Sequence, residues 1–310
     1  MEVVFAGSAE FSLPSLTAVA GSLHPVKLVI TAPDARGSRG RPAPRPVRDL
    51  AQQLGLPTAQ PGRLSREWAL ATPALAGDVL VVCAYGQLIP ATVLELFPNG
   101  ALGVHPSLLP RHRGASPVAA AILAGDGVTG VTIYQMDERL DAGPILAQEE
   151  IAISPGATTP ELERELADVG ARLLIQVLED AQHGECHPRP QDPGAATYSH
   201  KATRLDGELD WALPGLEIER RLRALSPWPG VSVLLGGARV KLLAGTARAW
   251  PAGAALATPG TLIGGEGDSA LISTGDGAFQ ISRVQPPGAR PMGPQAFLRG
   301  RRPISAGRVG

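Results

Sequence analysis

The stretch Asp78-Val79-Leu80-Val81-Val82-Cys83-Ala84 decides the fold. It is apolar from Val79 to Ala84, with none of the alternation that marks a strand with one wet face. A strand here is expected to be buried, as in a mostly parallel sheet with helices on both sides. Upstream, Val3-Val4-Phe5-Ala6 and Val26-Lys27-Leu28-Val29-Ile30 read the same way. Downstream, Leu102-Gly103-Val104-His105 and Gly130 to Met136 supply two more candidates. Helical patterns at Val47 to Leu54 and Ala115 to Ala124 fall between strands, so the first 150 residues alternate strand and helix as an α/β domain does.

A helix is expected from Pro160 to about Asp180. Thr158 with Glu161 makes a capping box, and Pro160 suits a first turn. Leu162, Leu166, Val169, Leu173 and Val177 recur every three or four residues and form one apolar face. From 188 to 207 the chain is rich in Pro, Gly and polar residues and reads as a linker. Beyond it, Leu216, Leu222 and Leu225 suggest a helix. Val231–Leu235 and Arg239–Leu243 flank Gly236-Gly237, a two-residue hairpin turn. Leu271–Thr274 and Ala278–Val284 flank Gly275-Asp276-Gly277, a second hairpin. Short strands at this spacing predict a small barrel. The expected organisation is therefore a domain over 1–187, a linker over 188–207 and a second domain over 208–310.

The 310 residues are enough for two cores. Apolar residues make up 44% and charged residues 18%, the balance of a globular protein. There is no run of about 18 apolar residues, so no membrane partner is expected. The opening Met1-Glu2-Val3-Val4-Phe5 reads as a first strand rather than an export signal. Cys83 and Cys186 are the only cysteines, too few for a disulfide framework. A cytoplasmic protein is expected, with a monomer as the simplest assembly. The net charge of −1 divides unevenly: from Leu205 onward there are 12 Lys/Arg against 8 Asp/Glu, and before it 16 against 21. A basic tail suits a polyanionic partner, although an excess of this size is common on other domains.

The chain lacks the glycine spacings of dinucleotide and nucleoside-triphosphate cradles. His183, Cys186 and His187 lie close together without a fourth ligand, so no metal is expected. The informative stretch runs from His105 to Leu146. His105 ends a strand, where open α/β sheets place ligands. Pro106 and Pro110 stiffen the loop after it, and Asp137 and Asp141 flank a second loop. A carboxylate near a histidine favours the imidazolium, and such a pair can relay protons or stabilise an oxyanion. A histidine near a proline-rich turn is also often purely structural.

This stretch resembles the 10-formyltetrahydrofolate-dependent formyltransferase family. The family pattern N-x-H-x-S-L-L-P-x-x-R-G, then G-V-T, then L-D-x-G is matched at His105, Ser107, Leu108, Leu109, Pro110, Arg113, Gly114, Gly130, Val131, Thr132, Leu140, Asp141 and Gly143. Ala84-Tyr85-Gly86-Gln87-Leu88-Ile89-Pro90 resembles the family segment bordering the folate pocket. The likeness extends to Val4–Ser8, to Thr197–Lys201 and Asp210-Trp211 at the entry to the second domain, and to Pro227-Trp228-Pro229.

The resemblance implies a Rossmann-like sheet domain followed by an OB-like barrel that helps to hold tRNA. It implies formyl transfer from 10-formyltetrahydrofolate to the α-amino group of methionyl initiator tRNA, with no metal. His105 and Asp141 would be catalytic. Ser107, Leu108, Leu109, Pro110, Tyr85, Gly86, Gln87, Leu88, Ile89 and Asp137 would line the folate side, although several of the apolar ones also suit an ordinary core. Arg36, Arg39, Arg41 and Arg45, after Pro33-Asp34, resemble a basic loop that approaches the tRNA acceptor end; a solvated surface loop has the same composition. One departure stands out. Where the family has asparagine, two residues before the histidine, this chain has Gly103, which implies the loss of one oxyanion donor. A sugar-nucleotide formyltransferase and a non-catalytic folate- or RNA-binding relative are the alternative readings.

Overall fold

The structure is a computed structural model that describes residues 1–34, 44–252 and 257–299. The chain divides into two compact units, Met1–Val118 with Gly127–Ile153 and Glu161–His200, and Ala119–Asp126 with Ser154–Pro160 and Lys201–Gly310.

In chain order the elements up to Ser199 are β1 (Val3–Gly7), α1 (Leu13–Ala20), β2 (Val26–Ile30), α2 (Pro46–Gln53), β3 (Thr58–Ala59), α3 (Arg66–Leu70), β4 (Val79–Cys83), α4 (Ala91–Leu94), β5 (Ala101–His105), β6 (Arg113–Gly114), α5 (Pro117–Ala124), β7 (Val128–Gln135), β8 (Ile145–Ala152), α6 (Thr159–His183) and β9 (Tyr198–Ser199). Seven strands form one sheet in the order β3-β2-β1-β4-β5-β7-β8. The pairs from β3 through β5 are parallel. Strand β7 runs antiparallel to both β5 and β8.

The apolar runs behave as their composition requires. Every residue of β1 and β5 is buried, and so are all but Val82 in β4. In α6 the residues Leu162, Leu166, Val169, Leu173 and Val177 are all buried, and each such side chain contributes about 2 kcal/mol when removed from water. Helix α5 starts at Pro117, later than its sequence pattern suggests. Ala115 N–H donates to the Ser199 carbonyl at 3.3 Å and Ser116 N–H to Ser199 Oγ at 3.1 Å, which holds those residues outside the helix.

The second unit carries α7 (Gly215–Ala224), β10 (Val231–Leu235), β11 (Ala238–Arg248), β12 (Leu262–Gly264), β13 (Ala270–Ser273), β14 (Ala278–Gln285) and α8 (Pro294–Arg299). Its five strands form an antiparallel half-barrel in the order β10-β11-β14-β13-β12. Gly236 and Gly237 take φ of 57° and 72°, the left-handed pair that a two-residue hairpin needs. Helix α7 buries Ile218 and Ala224, while Leu216, one of the residues that suggested the helix, is exposed.

Candidate active site

His105 is the last residue of β5 and is 7% exposed. Its Nε2 lies 3.0 Å from the carbonyl oxygen of His112. A carbonyl can only accept, so Nε2 carries the proton and Nδ1 presents the lone pair. Nδ1 lies 3.7 Å from Asp141 Oδ2, within ion-pair range but beyond a hydrogen bond. Burial pulls the imidazole below its ordinary range, against the opposing pull of Asp141 and of the His112 carbonyl. Sequence reasoning expected the carboxylate to favour imidazolium. Desolvation is the larger effect, and the resting ring is neutral near pH 7.

Asp141 is fixed on every side. Its Oδ2 accepts the Gly114 N–H at 2.7 Å, and its Oδ1 accepts the Tyr134 hydroxyl at 2.7 Å. Its backbone takes φ of 48°, uncommon for a residue with a side chain. Gln191 Nε2 donates to the carbonyls of Asp141 at 2.9 Å and Gly143 at 2.7 Å, which ties down this turn. A Cβ on Gly143 would run into the Gln135 carbonyl, so the glycine after the aspartate is a steric requirement.

Around the pair, Arg113 donates from Nε and Nη2 to Gln191 Oε1 at 3.1 and 2.7 Å and lies over the Tyr198 ring. His112, at φ 56°, donates its N–H to Thr197 Oγ1 at 2.8 Å. Strand β6 pairs with β9. The Pro- and Gly-rich segment that reads as a linker therefore supplies Gln191, Thr197, Tyr198 and Ser199 to the surroundings of His105 and Asp141. Nothing in the local sequence marked Gln191, because its function comes from tertiary contacts alone.

Gly103 faces Tyr134 in the antiparallel register of β5 and β7. A Cβ on Gly103 would fall 2.6 Å from Tyr134 Cζ and 2.9 Å from its hydroxyl oxygen. The phenol thus fills the space a side chain at 103 would enter. Its ring meets His105 edge-on with centroids 6.5 Å apart. Burial and the Asp141 carboxylate raise its pKa well above the ordinary value, so it keeps its proton.

The residues expected on the folate side divide into two groups. Tyr85, Ile89, Ser107 and Leu109 are buried, Ser107 donating from Oγ to the Arg111 carbonyl at 2.6 Å. Gln87, Leu108 and Pro110 are half-buried, Gly86 is exposed, and Leu88 is 85% exposed. Among the described residues, the buried Tyr85 hydroxyl has no hydrogen-bond partner. The Asp137 carboxylate is engaged by Arg139, which donates its backbone N–H at 2.8 Å and Nη2 at 2.5 Å. Of the basic loop, Arg36, Arg39 and Arg41 lie outside the described residues. Arg45 and Arg48 both donate to Asp34 Oδ2, at 2.9 and 2.7 Å. Among the described residues no three His, Cys, Asp or Glu side chains are grouped to hold a metal, and no helix is long and apolar enough to cross a membrane.

Residues 1–178 match the formyl transferase family, and residues 201–302 match the formyl transferase C-terminal domain. The chain is 38% identical over 309 residues to the methionyl-tRNA formyltransferase of Heliobacterium modesticaldum, covering 97% of this chain and 98% of that one. It is 42% identical over 313 residues to that of Roseiflexus castenholzii, covering 100% and 99%. The chain belongs to the methionyl-tRNA formyltransferase family. The same fold occurs in a Helicobacter canadensis N-formyltransferase solved with folinic acid and dTDP-3-aminofucose, at a TM-score of 0.66 and 16% identity over 92% of this chain and 99% of that one. It occurs again in the HypX protein of Aquifex aeolicus solved with tetrahydrofolic acid, at 0.61 and 18% over 96% and 47%.

Proposed function

We propose that this chain transfers a formyl group from 10-formyltetrahydrofolate to the α-amino group of methionyl initiator tRNA, giving formylmethionyl-tRNA for translation initiation in the cytoplasm. The observation that carries the reading is the His105–Asp141 pair at 3.7 Å, set at the carboxyl end of β5 in a formyl transferase domain.

The residues present fit a folate. Tyr85 offers a buried hydroxyl without a partner among the described residues, Leu88 stands out from the same loop, and Leu108 and Pro110 are half-buried after His105. When bound, the donor supplies the formyl carbon and the leaving nitrogen. His105 Nδ1, neutral at rest, is the base that accepts a proton as the amine nitrogen bonds to the formyl carbon, and it returns that proton to the folate nitrogen as the old carbon–nitrogen bond breaks, so the ring ends the cycle neutral. The imidazolium so formed lies beside Asp141, whose charge stabilises it, and can in turn stabilise the oxygen on which negative charge develops. Asp141 holds its orientation through the Gly114 and Tyr134 donors, so little reorganisation accompanies the step. Arg36, Arg39, Arg41 and Arg45 are proposed to meet the acceptor end of the tRNA.

The test is formyl transfer from 10-formyltetrahydrofolate to methionyl initiator tRNA by the wild-type protein beside His105→Ala. Transfer by the wild type that disappears in the variant is the expected result. Formylation of an amino-sugar nucleotide and not of the charged tRNA, or folate binding with no transfer at all, would overturn it.

A further inference from the structure

The family pattern has asparagine at the position of Gly103, and the structure shows what fills its place. Gly103 and Tyr134 are directly opposed on antiparallel strands, and the phenol lies across the glycine where a Cβ would clash with its ring. A glycine in a buried strand leaves a gap that an aromatic cross-strand neighbour can cover. Here the covering ring also carries a polar atom into the site. Its hydroxyl is buried and donates to Asp141 Oδ1 at 2.7 Å.

We infer that Tyr134 is a positioning residue for the transfer reaction, supplying from β7 the polar side chain that Gly103 leaves out of β5 and fixing the Asp141 carboxylate beside His105. A phenol has one proton to donate. That proton is committed to Asp141, so Tyr134 acts through the carboxylate rather than on the formyl oxygen. The other carboxylate oxygen is held by Gly114 N–H, and the two donors together leave Asp141 Oδ2 turned toward His105 Nδ1. Glycine at 103 and tyrosine at 134 are thus one device: either residue changed alone breaks it, and the pair must change together. The inference rests on the reaction proposed above.

Tyr134→Phe keeps the ring over Gly103 and removes only the hydroxyl. It should stay folded, with a melting temperature lowered by no more than a few degrees, and keep a donor KM within about twofold of wild type, while kcat falls at least about tenfold, because a hydrogen bond to a charged group is lost. A kcat within about twofold of wild type would overturn the inference. The paired exchange supplies a second arm. Tyr134→Ala should be slow, Gly103→Asn alone should be slow because its side chain meets the ring, and Gly103→Asn with Tyr134→Ala should exceed Tyr134→Ala by about tenfold. A double variant no faster than Tyr134→Ala would count against the shared-space argument.

A third readout needs no acceptor and separates this inference from the assignment of the reaction. The His105 ring, followed by NMR, should titrate at a different pH in Tyr134→Phe than in wild type, because Asp141 and His112 are the groups whose charge it senses. Superimposable titrations would overturn the positioning role even if the acceptor proved not to be methionyl-tRNA.

Discussion

His105 Nδ1 and Asp141 Oδ2 stand 3.7 Å apart, close enough for the carboxylate to stabilise an imidazolium and too far to hydrogen-bond a neutral ring. Burial holds the ring below its ordinary value of 6.5, so it is neutral in the resting protein. A base must be unprotonated to act. Any fall in the single-turnover rate above 6.5 should therefore follow protonation of the attacking amine, and protonation of the ring should lower the rate only below 6.5. The same shift acts on stability. Below 6.5 the unfolded chain takes up a proton that the folded site still refuses, so unfolding becomes easier as pH falls through that window. Urea titrations at several pH values should show this slope in wild type and a smaller one in His105→Gln. A His105 ring that NMR shows already protonated well above 6.5 would overturn the neutral resting state.

Gln191 joins three parts of the site with one amide: it donates to the Asp141 and Gly143 carbonyls and accepts from Arg113. Gln191→Ala leaves two carbonyls and a guanidinium short of a partner and should cost about 2 kcal/mol of stability, with slower transfer because the backbone of Asp141 loses one of its ties. Gln191→Glu keeps the acceptor for Arg113 but sets carboxylate oxygens against the two carbonyls. It should lose stability as well, and thermal melts beside kcat would show both effects. A Gln191→Glu protein as stable as wild type would mean that the carbonyl contacts contribute little.

Much of this architecture could be read from the sequence, and the part that could not has physical reasons. Val79–Cys83 declares itself because a strand covered on both faces has no room for polar residues. Helix α6 declares itself through its period, and the β10–β11 hairpin through two adjacent glycines. His105 and Asp141 are marked by the family pattern. Gln191 and Tyr134 are not, since each gains its role from a neighbour distant in sequence. Gly103 read as a lost donor because the ring that covers it lies on another strand. The charge state of His105 is not legible for a related reason: a nearby aspartate is visible in the sequence, but the extent of burial is not.

The basic loop is the part of the reading that a binding experiment reaches most directly. Asp34, whose carboxyl is held down to about 2 by Gln60, Arg48 and Arg45, ties those side chains together. Arg39 lies in sequence between Asp34 and Arg45 and outside the described residues. Arg39→Ala should weaken tRNA binding and reduce the slope of log affinity against log salt by about 0.7 to 0.9, the contribution of one phosphate contact. Unchanged affinity and an unchanged slope would remove Arg39 from the interface.

Asp141→Asn isolates the charge of the carboxylate from its shape. An amide has one acceptor face, which the Gly114 N–H would claim. Its NH2 would then face Tyr134, whose hydroxyl can turn to accept. The turn should therefore survive, with a melting temperature near that of wild type. What disappears is the negative charge beside His105 Nδ1, so a proton taken from the amine gains nothing from its surroundings. We expect kcat to fall by about 10² to 10⁴, the range for a disabled proton-transfer pair, with the donor KM little changed. Equal losses in kcat and in donor binding would instead make Asp141 part of the folate pocket, and the proton relay would have to be assigned elsewhere.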